Sequence, residues 1–176
     1  MGHAVEMYFD APTESRICSL WDEFAKFGAS FMKESGARPH VSLVVADDVD
    51  PQATIKLIEG FAATLRPFSL SLSSIGVFPS NDRVAFLAPK VTTDLLALHA
   101  RFFDQFAAVA RGVWPYYAPA AWVPHCTLEM NLLPHQIGPA FDACRSVGMP
   151  LECTVRELGL VEFRPVKQIH LVPLSG

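Results

Sequence analysis

Short runs rich in β-branched and aromatic residues alternate along this chain with longer stretches in which apolar residues recur at helical spacing. Runs of about four to eight such residues are typical of strands, whereas apolar positions at i, i+3, i+4 and i+7 are typical of amphipathic helices. The pattern predicts strands over residues 4–9, 40–46, 68–78, 83–88, 123–130, 151–163 and 167–174. It predicts helices over about residues 13–31, 51–66, 92–110 and 134–147. The resulting order, roughly βαβαββαβαββ, favours an α+β fold with mostly antiparallel pairing.

Capping and turn residues set the expected boundaries of these elements. Thr13 is expected to cap the first helix, and Asp50 followed by Pro51 suits the start of the second. The turn at residues 79–82 favours an antiparallel hairpin. The aromatic and proline-rich segment 114–122 is interpreted as a lid or a linker.

The two halves of the chain repeat one another. Pro39-His40-Val41-Ser42-Leu43 matches Pro124-His125-Cys126-Thr127-Leu128 at an offset of 85 residues (125 − 40). Residues 67–76 align without gaps on residues 150–159 at an offset of 83 (150 − 67), and Pro89 aligns on Pro173 at 84 (173 − 89). Because the three blocks keep their order and nearly one offset, the repeat predicts two similar lobes facing each other across a cleft.

Length and charge narrow the classes of function. A chain of 176 residues is long enough to bury a core of its own, so we expect one domain, residues 1–176, made of two pseudo-symmetric lobes and acting as a monomer. The net charge of −4 gives no global basic field, which argues against DNA and favours a small nucleotide or an RNA terminus as substrate. No apolar run approaches the roughly 20 residues of a membrane span, and no signal pattern opens the chain, so we expect a cytoplasmic protein without a membrane partner.

The duplicated motif, His-x-Ser/Thr-Leu, carries the candidate chemistry. Residues i and i+2 of a strand point the same way, so His40 with Ser42, and His125 with Thr127, each present an imidazole and a hydroxyl on one face. Two imidazoles can divide acid–base work, one taking a proton from water and the other giving one to the departing oxygen. The hydroxyls can hold the phosphate oxygens between them, and the chemistry needs neither a metal nor a cofactor.

Blander interpretations apply to the other candidate groups. A single histidine on a strand is more often structural, and we interpret His3, His99, His135 and His170 in that way. Cys126 is expected to point away from the two polar residues beside it, which disfavours a nucleophilic role. A serine-nucleophile mechanism is disfavoured because the chain has no Gly-x-Ser-x-Gly elbow.

These motifs resemble those of the 2H phosphoesterase superfamily, which contains the bacterial and archaeal 2′-5′ RNA ligases and the cyclic nucleotide phosphodiesterases. The stretch at residues 75–79, followed by residues 83–89, looks like that family's glycine-to-hairpin segment. The resemblance implies a bilobal pseudo-twofold fold, with two mostly antiparallel sheets lining a central cleft and helices packed outside. It also implies metal-independent cleavage of 2′,3′-cyclic phosphates, with His40 and His125 catalytic and Ser42 and Thr127 binding the phosphate.

Other side chains are candidates for lining the cleft, because an aromatic ring can stack on a base and a cation can meet a phosphate. They are Tyr8, Arg38, Arg83, Phe86, Tyr116, Tyr117 and Trp122. The motif pattern is symmetric, so it leaves open which histidine is the acid and which the base. Two other functions also stay open: a 2′-5′ RNA ligase or tRNA-processing enzyme, and a non-catalytic nucleotide-binding module.

Overall fold

The computed structural model of the protein describes residues 2–176. These residues form eight strands, in chain order β1 Gly2–Phe9, β2 His40–Val49, β3 Phe68–Val77, β4 Ala85–Pro89, β5 Ala110–Val113, β6 Cys126–Glu129, β7 Leu151–Phe163 and β8 Lys167–Pro173. The helices are α1 Ala11–Ala25, α2 Phe31–Glu34, α3 Pro51–Ala62, α4 Thr93–Phe106 and α5 Ile137–Ser146. Short 3-10 turns cover Pro115–Tyr117 and Pro134–Gln136. The α+β prediction is confirmed.

Side-chain caps start three of the helices. Asp50 and Thr92 accept from the third backbone N–H of α3 and α4, as the sequence predicts. The cap of α1 is Asp10 rather than Thr13: the Asp10 carboxylate accepts from Thr13 N at 2.9 Å, and Pro12 is tolerated in the first turn. The prediction placed this start three residues too late because it treated the proline as a breaker.

Three predicted helices extend too far at their C-terminal ends. The first ends at Ala25, and a turn through Gly28, at a φ of 83°, separates it from α2, where Phe31 is 47% exposed. The second ends at Ala62. The third ends at Phe106, because residues 110–113 leave it to form β5 along β2. Gly112 lets β5 lie this close, since its φ is 62° and a Cβ there would overlap the Asp47 side chain.

The strands form one antiparallel sheet in the order β5-β2-β1-β7-β3-β4-β6, with β8 on β7. Two separate sheets were expected, but the 13-residue strand β7 joins the lobes: its residues 155–163 pair with β1 and its residues 151–155 pair with β3. β7 therefore forms hydrogen bonds with a strand of each lobe.

A pseudo-twofold axis passes through the ladder between β3 and β7. Leu70 lies opposite Cys153, which is its own repeat equivalent at the offset of 83 (153 − 70). Antiparallel strands that cross at equivalent residues are related by a twofold axis at that pair. The axis relates β1-α1-β2 of the first lobe to β4-α4-β6 of the second.

Helices cover one face of the sheet, and the main apolar core fills the space between them. Val41, Leu43, Cys126 and Leu128 have no exposed surface on this face. The opposite face near the axis carries the polar residues of both motifs. Among residues 2–176, no helix is both long and apolar enough to cross a bilayer.

Candidate active site

The first motif lies on β2 beside β1. Tyr8 is opposite His40 and Glu6 is opposite Ser42, but Val5 is opposite Val44, so Leu43 is an extra residue on β2. This is a β-bulge, a feature that re-aims neighbouring side chains and is common beside active sites. The bulge leaves Leu43 in the core while His40 and Ser42 face away from it.

The second motif has the same bulge. Phe86 on β4 is opposite Thr127 and Ala85 is opposite Glu129, so Leu128 is the extra residue on β6. His125 precedes the first paired residue of β6, which is Cys126. The predicted strand over residues 123–130 is therefore shorter, and the leucine of each motif is its bulge residue.

Two glycines bring aromatic rings down onto this face. Gly76 is opposite Phe86 in the β3–β4 ladder, and a Cβ at Gly76 would overlap the Phe86 ring. Gly159, the repeat equivalent of Gly76, makes the same space for the ring of Tyr8. The glycine that ends each repeat block thus allows an aromatic ring to lie flat beside a His-x-Ser/Thr-Leu motif.

His40 is held between two oxygen acceptors. Its Nδ1 lies 2.6 Å from the Arg38 carbonyl oxygen, and its Nε2 lies 3.3 Å from Oε1 of Glu6. The side chains of His40 and Glu6 are 15% and 9% exposed. Because a carbonyl oxygen only accepts, Nδ1 must carry a proton, which directs Nε2 toward the carboxylate and the cleft.

His125 has the same backbone partner but an apolar setting. Its Nδ1 lies 2.7 Å from the Val123 carbonyl oxygen. Its ring centroid is 5.0 Å from that of Phe78 and 5.3 Å from that of Phe86. Desolvation by these surroundings lowers the pKa of His125, and the charge of the nearby His40 lowers it further.

The two hydroxyl residues are fixed through their backbone by tryptophans. Trp122 Nε1 donates to the Ser42 carbonyl oxygen at 3.1 Å, and Trp21 Nε1 donates to the Thr127 carbonyl oxygen at 3.2 Å. Behind Ser42, the His99 ring stacks on Trp122 with 3.8 Å between the ring centroids. His99 Nε2 lies 3.0 Å from the Leu43 carbonyl oxygen. Both motifs therefore rest on a packed indole, which limits their motion.

Cys126 lies between the motifs but on the buried side. Its thiol lies against the backbone of His40, and burial raises its pKa to about 12. A thiol that stays protonated is a poor nucleophile. The geometry thus agrees with the expectation that Cys126 packs in the core.

Comparison with known proteins gives one family. The sequence model of the 2′-5′ RNA ligase superfamily matches residues 14–166. The chain belongs to the 2′-5′ RNA ligase superfamily. No curated protein sequence matches it significantly. Its resemblance to the 2H phosphoesterases is thereby confirmed, since the 2′-5′ RNA ligases form part of that larger group.

Solved structures share the fold of this 2′-5′ RNA ligase superfamily member. The Thermus thermophilus protein TT0787 aligns with a TM-score of 0.62 at 16% identity, covering 100% of this chain and 99% of that one. E. coli LigT complexed with 3′-AMP aligns with a TM-score of 0.60 at 16% identity, over 99% and 97% of the two chains. E. coli LigT complexed with ATP aligns with a TM-score of 0.57 at 17% identity, covering 99% of this chain and 98% of that one. At these identities the likeness establishes the fold, and the superfamily supports phosphoester chemistry.

The seven residues predicted to line the cleft of this superfamily member fall into two groups. Tyr8, Phe86 and Tyr117 adjoin the motifs: Tyr8 and Phe86 contact the two histidine rings, and Tyr117 lies beside Ser42. Burial raises the pKa of Tyr117 to about 12, and the Glu6 carboxylate acts in the same direction. These three phenyl or phenol rings line the same face as the histidines.

The other four predicted residues have different partners. Arg38 forms ion pairs with Glu14 at 2.6 Å and Glu157 at 2.9 Å, and Arg83 Nε donates to the Leu132 carbonyl oxygen. Trp122 is only 7% exposed and supports Ser42 from behind, whereas Tyr116 is 77% exposed on its 3-10 turn. Arg38, Arg83 and Trp122 thus already have protein partners, and the lining of the cleft by these four residues stays a prediction.

Sequence reasoning missed Glu6, Phe78 and the structural pair of His99 with Trp122. Glu6 left a signal: it is the one charged residue in the otherwise apolar run at residues 4–9, two positions before Tyr8. Phe78 left none beyond its place at the end of a strand. Within residues 2–176, no three His, Cys, Asp or Glu side chains converge as metal ligands would.

Proposed function

We propose that this protein hydrolyses 2′,3′-cyclic phosphates, of nucleotides or of RNA ends, by metal-independent acid–base catalysis between His40 and His125. The matched geometry of the two rings carries the proposal. In each, Nδ1 is bound to the carbonyl oxygen two residues earlier, at 2.6 and 2.7 Å, so Nε2 is the working nitrogen of both. Two imidazoles that each direct Nε2 away from a backbone partner suit an in-line displacement at one phosphorus.

The reaction needs one proton taken and one given. A water oxygen forms a bond to phosphorus while one histidine accepts the water proton, and the bond from phosphorus to a ribose oxygen breaks as the other histidine protonates that oxygen. The Ser42 and Thr127 hydroxyls are positioned on the same face as donors to the two non-bridging oxygens. The product is a phosphomonoester, and the proton count balances without a co-reactant.

The direct test is hydrolysis of 2′,3′-cyclic nucleotides in excess chelator, with the phosphomonoester product separated by chromatography. Each of His40→Ala and His125→Ala should lower kcat by at least about 10²-fold, the usual worth of a general acid or base. His135→Ala is the matched control, because His135 is exposed on a 3-10 turn. Wild-type protein that turns over no cyclic phosphate, or does so only with added metal, would contradict the proposal.

A second candidate is processing or joining of 2′-5′ linkages in RNA, favoured by the description of the matching superfamily. The complexes of E. coli LigT with ATP and 3′-AMP support a nucleotide ligand for either function. A small substrate is favoured by charge: Arg38 is paired with two carboxylates, and Glu6 adds a third beside the site.

Salt dependence separates these functions. A cyclic mononucleotide should be hydrolysed with a KM that changes little between roughly 50 and 200 mM salt, whereas recognition of a longer RNA would weaken steeply with added salt. A preference of more than about tenfold for an oligonucleotide, lost at the higher salt, would favour RNA processing. Nucleotide binding that survives both histidine substitutions, without turnover, would instead indicate a binding module.

A further inference from the structure

A departure from twofold symmetry lies beside the two histidines. After the bulge in each lobe, the residue opposite the motif hydroxyl is Glu6 on β1 and Phe86 on β4. The two positions are structurally equivalent, yet one holds a buried carboxylate and the other a phenyl ring. A difference of this kind can fix which ring holds the proton, because the charge and the solvent around each imidazole favour one protonation state.

The His40 ring has an oxygen acceptor at each nitrogen. The Arg38 carbonyl occupies Nδ1 and the Glu6 carboxylate faces Nε2 at 3.3 Å. Neutral imidazole carries only one N–H, so it would leave a lone pair against the carboxylate. The imidazolium offers an N–H to both acceptors, and the opposite charges attract in this partly desolvated setting.

Glu6 is itself held in place. Tyr8 donates its hydroxyl to Glu6 Oε2 at 2.6 Å, and Glu6 is 7% exposed as a whole residue. Burial and the adjacent Glu6 carboxylate raise the pKa of Tyr8, so the phenol keeps the proton that it donates. Arg38 lies over the Tyr8 ring, 4.2 Å from its centroid, and fixes that ring from the other side.

The His125 ring has the opposite environment. One nitrogen faces the Val123 carbonyl oxygen, and the ring packs at 5.0 and 5.3 Å from the phenyl rings of Phe78 and Phe86. Desolvation lowers its pKa, and so does the positive charge of His40. His125 is therefore neutral near pH 7, with a lone pair on Nε2.

We infer that Glu6 is a positioning residue that makes His40 the general acid and leaves His125 as the general base. The inference rests on the proposed function. His125 Nε2 takes the proton of the attacking water, and His40 Nε2 gives its proton to the ribose oxygen as the bond from that oxygen to phosphorus breaks. Glu6 takes no part in either proton transfer; it acts by keeping a proton on His40.

The charged and titratable groups around the Glu6–His40 pair come from several elements. Besides Glu6 and Tyr8 of β1, they are Arg38 before β2, Glu14 of α1, Glu157 of β7, Tyr117 of the 3-10 turn and His125 before β6. Arg38 and its two carboxylates sum to −1, and the Glu6–His40 imidazolium pair sums to zero. A carboxylate beside the phosphate is tolerated because the imidazolium neutralises it.

Glu6→Gln tests the inference, because glutamine keeps the size of glutamate and removes its charge. On a 2′,3′-cyclic nucleotide we expect kcat to fall about 10- to 100-fold with KM nearly unchanged, and the alkaline limb of the kcat–pH profile to move to lower pH. On a nitrophenyl phosphodiester, whose leaving group needs no acid, kcat of the same variant should fall less than about threefold. His125→Ala should be slow on both substrates.

Two controls separate the outcomes. Glu157→Gln removes a nearby charge that contacts Arg38 rather than His40, and it should leave the kcat–pH profile in place. Glu6→Asp should recover part of the lost activity. Equal losses by Glu6→Gln on both substrates, or an unmoved pH profile, would overturn the role assigned to Glu6.

An NMR measurement needs no activity and so separates this inference from the proposed function. The ¹⁵N shifts of the His40 ring report whether one or both nitrogens carry a proton. We expect an N–H at both ring nitrogens of His40 in the wild type, because each nitrogen faces an oxygen acceptor, and at one nitrogen in Glu6→Gln. If the wild type cleaves no cyclic phosphate but shows this change, only the proposed function fails; a neutral His40 ring in the wild type would refute the inference itself.

Discussion

Asp10 joins the start of α1 to β7, and its loss should destabilise the protein more than the loss of an ordinary helix cap. Its Oδ1 accepts from Thr13 N and from Thr13 Oγ1, both at 2.9 Å. Its Oδ2 accepts from Thr154 N, in β7, at 2.7 Å. One carboxylate therefore satisfies donors of two elements that are 144 residues apart in sequence.

The expected loss in the free energy of unfolding follows from these hydrogen bonds. Removing an N-cap side chain costs about 1–2 kcal/mol, and leaving the Thr154 N–H without its partner costs about 1–2 kcal/mol more. Asp10→Ala should thus lower the free energy of unfolding by about 2–4 kcal/mol. For a chain of this size that corresponds to a fall in Tm of roughly 5–12 °C.

The effect should depend on pH. Burial alone would raise the pKa of Asp10, but hydrogen bonds from Thr13 and Thr154 outweigh it and hold the pKa below its usual range. A depressed carboxyl pKa contributes stability above its unfolded value of about 3.9, and that contribution is lost as the pH falls through the folded value. The stability gap between wild type and Asp10→Asn should therefore narrow from pH 6 to pH 3.

Urea unfolding followed by circular dichroism measures both effects. The matched control is Asp50→Ala, which removes the cap of α3. Among residues 2–176, the Asp50 side chain accepts a hydrogen bond from Ala53 N alone. That control should cost about 1 kcal/mol. If Asp10→Ala costs no more than Asp50→Ala, or if the gap between wild type and Asp10→Asn is constant over this pH range, the bridging role of Asp10 is refuted.

Two further predictions concern the site. Cys126→Ala should keep kcat within about threefold of wild type while lowering the free energy of unfolding by about 1–2 kcal/mol, because the thiol is buried and protonated; a folded variant without turnover would contradict this. Arg38→Gln should leave KM for a cyclic nucleotide within about threefold, since Arg38 is already paired with Glu14 and Glu157; a rise in KM above about tenfold in steady-state assays would make Arg38 a phosphate ligand.

The repeat made much of the fold predictable from sequence. Local periodicity indicated eleven of the elements, and the aligned blocks at offsets of 83 to 85 indicated the symmetry. The failures lie where a local pattern continues beyond the element it starts. Residues 107–110 continue the helical pattern, but the helix ends at Phe106 and tertiary pairing with β2 takes Ala110–Val113 into a strand.

The site divides in the same way. His40, Ser42, His125 and Thr127 were predictable, because alternation along a strand fixes which residues share a face. The sequence by itself therefore determined the duplicated motif and which of its residues share a face, and their catalytic role stays a prediction. It treated the two histidines alike, since their motifs are alike.

Only the tertiary structure decided how the two histidines differ. Strand pairing brings Glu6 to one ring and Phe86 to the other, from segments 34 residues (40 − 6) and 39 residues (125 − 86) away in the chain. A side chain's protonation depends on the charges and the solvent around it, which are set by neighbours in space. Strand register, which no local pattern records, therefore distinguishes the two otherwise equivalent histidines.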